Sequence, residues 1–354
     1  MFAYAIYKLG AFLAMRLELP TARRHAAAVG RFIAIFQRRN RATLYRNLKV
    51  AFGHRMSERE LRRLRSRIYG NFGAFVLEFL WLPKFTRANV AEMITPKSVE
   101  TYGRIKRIAE ERGPVIFLTA HLGNWEMAAV TGSLMGLPLT VLVDAHPSPL
   151  VTRFFNERRV HKGLRLVSVT EFQKCFRALH QKRLLAIAGD RAVTGQGIRM
   201  EYFGKRALVP DGHAVLARRF HVPILPGFFV RQADGRYECV IDEMIEPRIT
   251  DDFDADVRDC VGQCLRVFER HIRKHPDQWY VFRPIWENVR EDRLRLREER
   301  IDARKERIDA RLKKMDARRR RMEEHRRRLQ ADRKRLTETQ SRLREHREDT
   351  KDDG

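Results

Sequence analysis

A histidine and a glutamate five positions apart, His121 and Glu126, stand in the run PVIFLTAHLGNWEMAAV. Neutral imidazole is the usual side-chain base near neutral pH, and a carboxylate on its far ring nitrogen fixes the tautomer and stabilises the imidazolium. Such a pair can draw the proton from a substrate hydroxyl, which is a poor nucleophile until it loses that proton. The protein then needs no serine of its own, and the sequence holds no G-x-S-x-G elbow. With 12 histidines and 45 acids in the chain, about 1.5 such spacings arise by chance, and His121 makes the one match. A capped, structural histidine is therefore the alternative, and the surrounding elements carry most of the weight.

Within a single helix, residues five apart lie about 140° from one another and do not face each other. A strand end followed by a turn and a helix start solves this. VIFLTA (115–120) ends at His121, Gly123 permits a tight turn, and Asn124 is a suitable N-cap for a helix carrying Glu126. Further short, strongly apolar runs follow: LTVLVD (139–144), LRLVSV (164–169), LLAIAG (184–189) and VPILPGFFV (222–230). Helix-like segments at 125–135, 148–162, 170–181 and 211–220 separate them. That alternation predicts an α/β fold with a mostly parallel central sheet flanked by helices, whose sites lie at the carboxyl ends of the strands. RYECVID (236–242) is a candidate edge strand, and 253–274 reads as a closing helix.

Ahead of this block, residues 3–17, 21–38 and 57–82 read as helices, the last opened by a Ser57–Glu60 capping box. The net charge of +27 is concentrated here: residues 1–70 hold 16 basic and 3 acidic side chains. Segment 1–40 is apolar as well as basic, yet too interrupted to span a bilayer. It has the pattern of interfacial helices on an anionic membrane face, the alternative being amphipathic helices packed on their own domain. Four cysteines, Cys175, Cys239, Cys260 and Cys264, form no C-x-x-C pair and read as reduced thiols.

The chain divides at about residue 286. From Leu294 to Leu343 an apolar residue recurs every seventh position, but the companion positions are almost all charged or polar. Residues 287–354 thus read as a long charged helix, either solvated or weakly self-associating through 294–343.

The segment HLGNWE resembles the H-x4-[DE] motif of the bacterial lipid A (HtrB/LpxL-like) acyltransferases and the related phosphatidylinositol mannoside acyltransferases. The similarity extends through RNLKVAFGHRMSERELRRLRSRIYGNFGAFVLEFLW (46–81), the block 188–231 and HPDQWYVFRPIW (275–286). The resemblance implies a glycerolipid acyltransferase-like domain over 1–286, with His121 as general base and Glu126 as its partner. It places Asp190 and Arg191 in a site-organising block, where Ala192 stands in place of a frequent second acid. It sets Arg158 on substrate phosphate or the oxyanion, an ordinary surface arginine being the alternative, and gives Phe203 and Gly204 the acyl or acceptor wall.

The expectation is O-acyl transfer from acyl carrier protein or coenzyme A to a membrane glycolipid. The acceptor would be a lipid A precursor or a phosphatidylinositol mannoside, reached at the cytoplasmic face of the inner membrane, with no metal or redox cofactor. Two rivals stand beside it: a catalytically inactive membrane scaffold and a nucleic-acid-binding protein. No helix-turn-helix, finger or RRM signature supports the second, so no nucleic acid partner is expected.

Overall fold

The computed structural model describes residues 2–192 and 195–286. The expected charged helix over 287–354, with its seven-residue repeat and self-association, lies outside the described residues.

Four helices lead the chain: α1 (Phe2–Ala14), α2 (Leu19–Phe36), α3 (Arg38–Phe52) and α4 (Glu58–Trp81). α4 opens at the expected capping box: the Ser57 hydroxyl accepts from the Glu60 backbone N–H, and the Glu60 carboxylate accepts from Ser57 N–H at 2.7 Å. α2 and α4 cross at small residues. A methyl group on Gly30 would lie 2.3 Å from the Tyr69 carbonyl, and one on Gly73 would lie 2.2 Å from that of Ala26. Glycine at both positions lets the two backbones touch. Helices α3 and α5 (Pro96–Arg112) are additional to those read from the sequence.

The sheet strands are β1 (Ile116–Thr119), β2 (Leu139–Val143), β3 (Arg165–Ser168), β4 (Leu184–Ala188), β7 (Ile224–Arg231) and β8 (Tyr237–Ile241). They lie in the order β3-β2-β4-β1-β7-β8. All neighbours are parallel except β8, which pairs antiparallel with β7 as the edge strand. The connecting helices are α6 (Trp125–Leu134), α7 (Pro149–Val160), α8 (Lys174–His180) and α9 (Gly212–Phe220), and α10 (Phe253–Lys274) closes the domain. The expected mostly parallel sheet flanked by helices is therefore present. A hairpin of β5 (Ile198–Tyr202) and β6 (Lys205–Val209) stands apart as its own two-stranded sheet. Its turn residues Phe203 and Gly204 both have positive φ, at 52° and 73°, as a tight two-residue hairpin turn requires.

The register between β1 and β4 decides the chemistry. Thr119 pairs with Ala188, so the chain leaves both strands side by side, with His121 and Asp190 each two residues beyond the pair.

Candidate active site

His121 follows the carboxyl end of β1, and its carbonyl accepts from Tyr280 N–H at 2.9 Å. Gly123, at φ 71°, turns the chain against β7, where a Cβ would lie 2.0 Å from the Phe229 carbonyl oxygen. Asn124 then caps α6, its side-chain oxygen accepting from Met127 N–H at 3.0 Å. The strand–turn–helix arrangement expected around His121 is thus in place.

The partner of the imidazole differs from the expected one. His121 Nδ1 lies 2.6 Å from Asp190 Oδ1. Asp190 is fully buried, and its second oxygen accepts from the Trp279 indole N–H at 3.2 Å. Burial alone would raise this carboxyl's pKa, but the neighbouring His121 ring, Arg191 and the Trp279 N–H outweigh it and hold it below its usual value. The carboxylate that can fix the imidazole tautomer is therefore Asp190, and Nε2 is the nitrogen left for a substrate.

Glu126 sits in the first turn of α6 and accepts two hydrogen bonds from Arg159 of α7, from Nε at 2.9 Å and Nη2 at 2.5 Å. Both side chains are about nine-tenths buried. Glu126 is thus engaged by Arg159 of α7, while the imidazole of His121 is engaged by Asp190. Arg158, the expected arginine, instead lays its guanidinium over the Phe154 ring at 3.7 Å. Successive residues on a helix lie 100° apart, so the shift of one position exchanges a cavity-lining arginine for one outside it.

One face of the sheet, with α5, α6 and Arg159, encloses a cavity of about 250 Å³. Its polar end holds His121, Glu126, Asp144, Arg159 and Arg191, beyond or beside the carboxyl ends of the strands. Its other end is apolar, lined by Ile105, Phe117, Leu137, Leu139 and Leu184. Along β2, from Leu139 to Asp144, the cavity extends roughly 16 Å at the rise of an extended strand. Small residues make the space: Ala128, Ala129, Ala186, Ala188 and Gly227 all line it. Arg191 is largely buried there, its Nε has no hydrogen-bond partner, and burial lowers its pKa.

Phe203 and Gly204 are not among the cavity residues. The Phe203 ring stacks on Trp279 with centroids 5.6 Å apart, so it supports the indole that in turn donates to Asp190. Among the described residues no group of three or more His, Cys, Asp or Glu is placed to hold a metal ion.

The sequence pattern of the bacterial lipid A biosynthesis acyltransferases matches residues 2–288 of the chain. The chain belongs to that family. Among characterised members of the wider group, it is 26% identical to the phosphatidylinositol mannoside acyltransferase of Mycolicibacterium smegmatis over 180 residues, covering 49% of this chain and 57% of that one. It is 25% identical to the enzyme of the same name from Mycobacterium tuberculosis over 185 residues, covering 51% and 56%. The chain thus spans a little over half the length of the curated relatives it matches. The family match takes in His121, Asp190, Glu126 and Arg159 together, and so the whole lining of the cavity.

Two functional candidates escaped the sequence reading. Arg159 is adjacent to the arginine selected there, and the residue's helix face, invisible without α7's packing, distinguishes the two. Trp279 stands in the block 275–286 that carries the family resemblance, but nothing in that block shows its contact with Asp190, 89 positions away in sequence.

Proposed function

We propose that the protein is an O-acyltransferase that moves a fatty acyl chain from a thioester of acyl carrier protein or coenzyme A to a hydroxyl of a membrane glycolipid. One observation carries this reading: an imidazole oriented by a buried carboxylate opens onto a long cavity that is polar at the histidine and apolar beyond it. A fatty acyl chain fits the apolar length, and its carboxyl end then lies at the polar end. In this account His121 Nε2 removes the proton from the acceptor hydroxyl as the oxygen attacks the thioester carbonyl. Asp190 stabilises the imidazolium, which returns the proton to the departing thiolate. Glu126 holds Arg159 at the cavity wall, where the guanidinium keeps free N–H groups for the developing oxyanion. The family and the names of the relatives favour a glycolipid acceptor, of lipid A precursor or phosphatidylinositol mannoside type.

The N-terminal helices suit a substrate that lives in a bilayer. No described helix is long and apolar enough to cross a membrane. Yet Leu9, Phe12 and Leu13 of α1, and Phe32, Ile35 and Phe36 of α2, all leave half or more of their surface exposed. Basic residues Lys8, Arg16, Arg31, Arg38 and Arg39 are interspersed among them. That surface would lie in the interface of an anionic membrane, at its cytoplasmic face, with cations on lipid phosphates. The deciding experiment presents labelled acyl carrier protein thioester and acyl-coenzyme A to a panel of glycolipids with wild type and His121→Ala. A labelled lipid made by the wild type alone supports the reading and names the acceptor; equal labelling by both proteins removes His121 from the reaction.

A further inference from the structure

We propose that Glu78 is a positioning residue, which holds the turn bearing His121 in place through the side chain of Asn124. The proposal rests on the reading of His121 as the base.

Glu78 lies in α4 and is completely buried. Its two oxygens serve four donors from four parts of the chain. Oε1 accepts from Arg23 Nε of α2 at 2.6 Å and from Arg231 Nη1 at the end of β7 at 3.4 Å. Oε2 accepts from Asn124 Nδ2 at 2.7 Å and from the Tyr237 hydroxyl of β8. Asn124 is itself used at every polar atom that could orient it. Its side-chain oxygen caps α6, its backbone N–H donates to the Phe229 carbonyl at 2.8 Å, and its amide reaches Glu78.

His121 is three residues upstream, joined to Asn124 by Leu122 and the left-handed Gly123. The turn is tied on one side to the backbone of β7 and of residues 278–280, and on the other to α4 through the Asn124–Glu78 bond. A displaced Asn124 therefore displaces the imidazole relative to Asp190, which belongs to a different strand. A purely structural Glu78 would neutralise Arg23 and Arg231 without bearing on His121. The two roles are separable, because only the first acts through Asn124.

The test uses the full chain in detergent, with Asn124→Ser, Glu78→Gln and the double variant. Serine keeps the helix cap but is too short to reach Glu78. Each single change is expected to lower kcat by about tenfold or more with little change in acceptor KM, and the double variant to be no worse than the poorer single. In parallel, peptide mass spectrometry follows carbethoxylation of His121 by diethyl pyrocarbonate, with exposed His54 and His161 as references. The His121 rate is expected to change several-fold in both variants while the references do not. A kcat within about twofold of wild type in folded Asn124→Ser, or losses that multiply in the double variant, would overturn the proposal. If the wild type transfers no acyl chain, the base role falls. The labelling then decides the positioning alone, and an unchanged His121 rate rejects it. If Glu78→Gln does not fold, Asn124→Ser decides both readouts by itself.

Discussion

His121 and Asp190 each stand two residues past a paired position, Thr119 and Ala188, on adjacent parallel strands, and their side chains meet at 2.6 Å. Adjacent parallel strands deliver their carboxyl ends to the same edge of the sheet, so two residues remote in sequence arrive together. The second polar pair, Glu126 with Arg159, joins α6 to α7 on the same cavity. The site is two separate polar units, a His–Asp hydrogen bond able to move a proton and a Glu–Arg ion pair able to hold a cation at the cavity wall.

That division has a measurable consequence. Glu126→Gln leaves a buried arginine without its counter-charge, and Arg159→Met leaves a buried carboxylate. Both are expected to lower acyl transfer by at least about a hundredfold, with the double variant close to the poorer single. Steady-state rates of the three proteins check this. Multiplying losses would mean that the two residues act independently.

The cavity should select chain length through Ala186, whose small side chain lines it midway along β4. Ala186→Phe fills that space and is expected to lower transfer of long acyl chains about tenfold or more relative to short ones. Competition between thioesters of different lengths, read by mass spectrometry of the product, measures the ratio. An unchanged ratio would place the chain elsewhere.

Membrane attachment is expected to depend on the exposed rings of α2. Phe36 is 71% and Phe32 60% exposed, so replacing them disturbs little inside the domain. Burying a phenyl ring contributes roughly 1.5–3 kcal/mol, and Phe32→Glu with Phe36→Glu should therefore weaken partition into anionic vesicles by well over about tenfold. Vesicle sedimentation tests it, and undiminished binding would assign attachment to another surface.

Acid sensitivity has a candidate origin in His213. It is fully buried, neither ring nitrogen has a hydrogen-bond partner, and burial lowers its pKa to about 4. The folded state thus keeps this ring neutral while the unfolded chain takes up a proton below its ordinary value of 6.5. Stability is full above that value, falls as the pH drops toward about 4, and loses up to roughly 3 kcal/mol from this group. His213→Leu should flatten much of the decline between pH 6.5 and 4 in denaturant melts; an identical decline in both proteins would exonerate the residue.

The sequence displays the strands, the capping box of α4 and the turn around His121, because each is written in neighbouring residues. Strand order is not. Nothing local places β4 beside β1, and without that neighbour Glu126 is the nearest acid to His121 along the chain. The buried Asp190 therefore reads as a site organiser when it is the imidazole's own partner. Arg158 and Arg159 are likewise indistinguishable until α7 packs and turns one of them to Glu126. Helix α3 and the β5–β6 hairpin do carry patterns, Leu44, Leu48, Ala51 and Phe52 at helical spacing and Ile198, Met200 and Tyr202 alternating with Arg199 and Glu201, but charged residues crowd both segments and mask them. The seven-residue repeat of the tail is plain in the sequence and lies outside the described residues.

The most direct measurement is the acyl-transfer rate of Asp190→Asn beside that of wild type, with the fold of both verified. Asparagine preserves the shape but cannot stabilise the imidazolium, so the rate is expected to fall by on the order of a thousandfold or more. A rate within about threefold of wild type would contradict the account, because His121 would then be working without the carboxylate that the fold delivers to it.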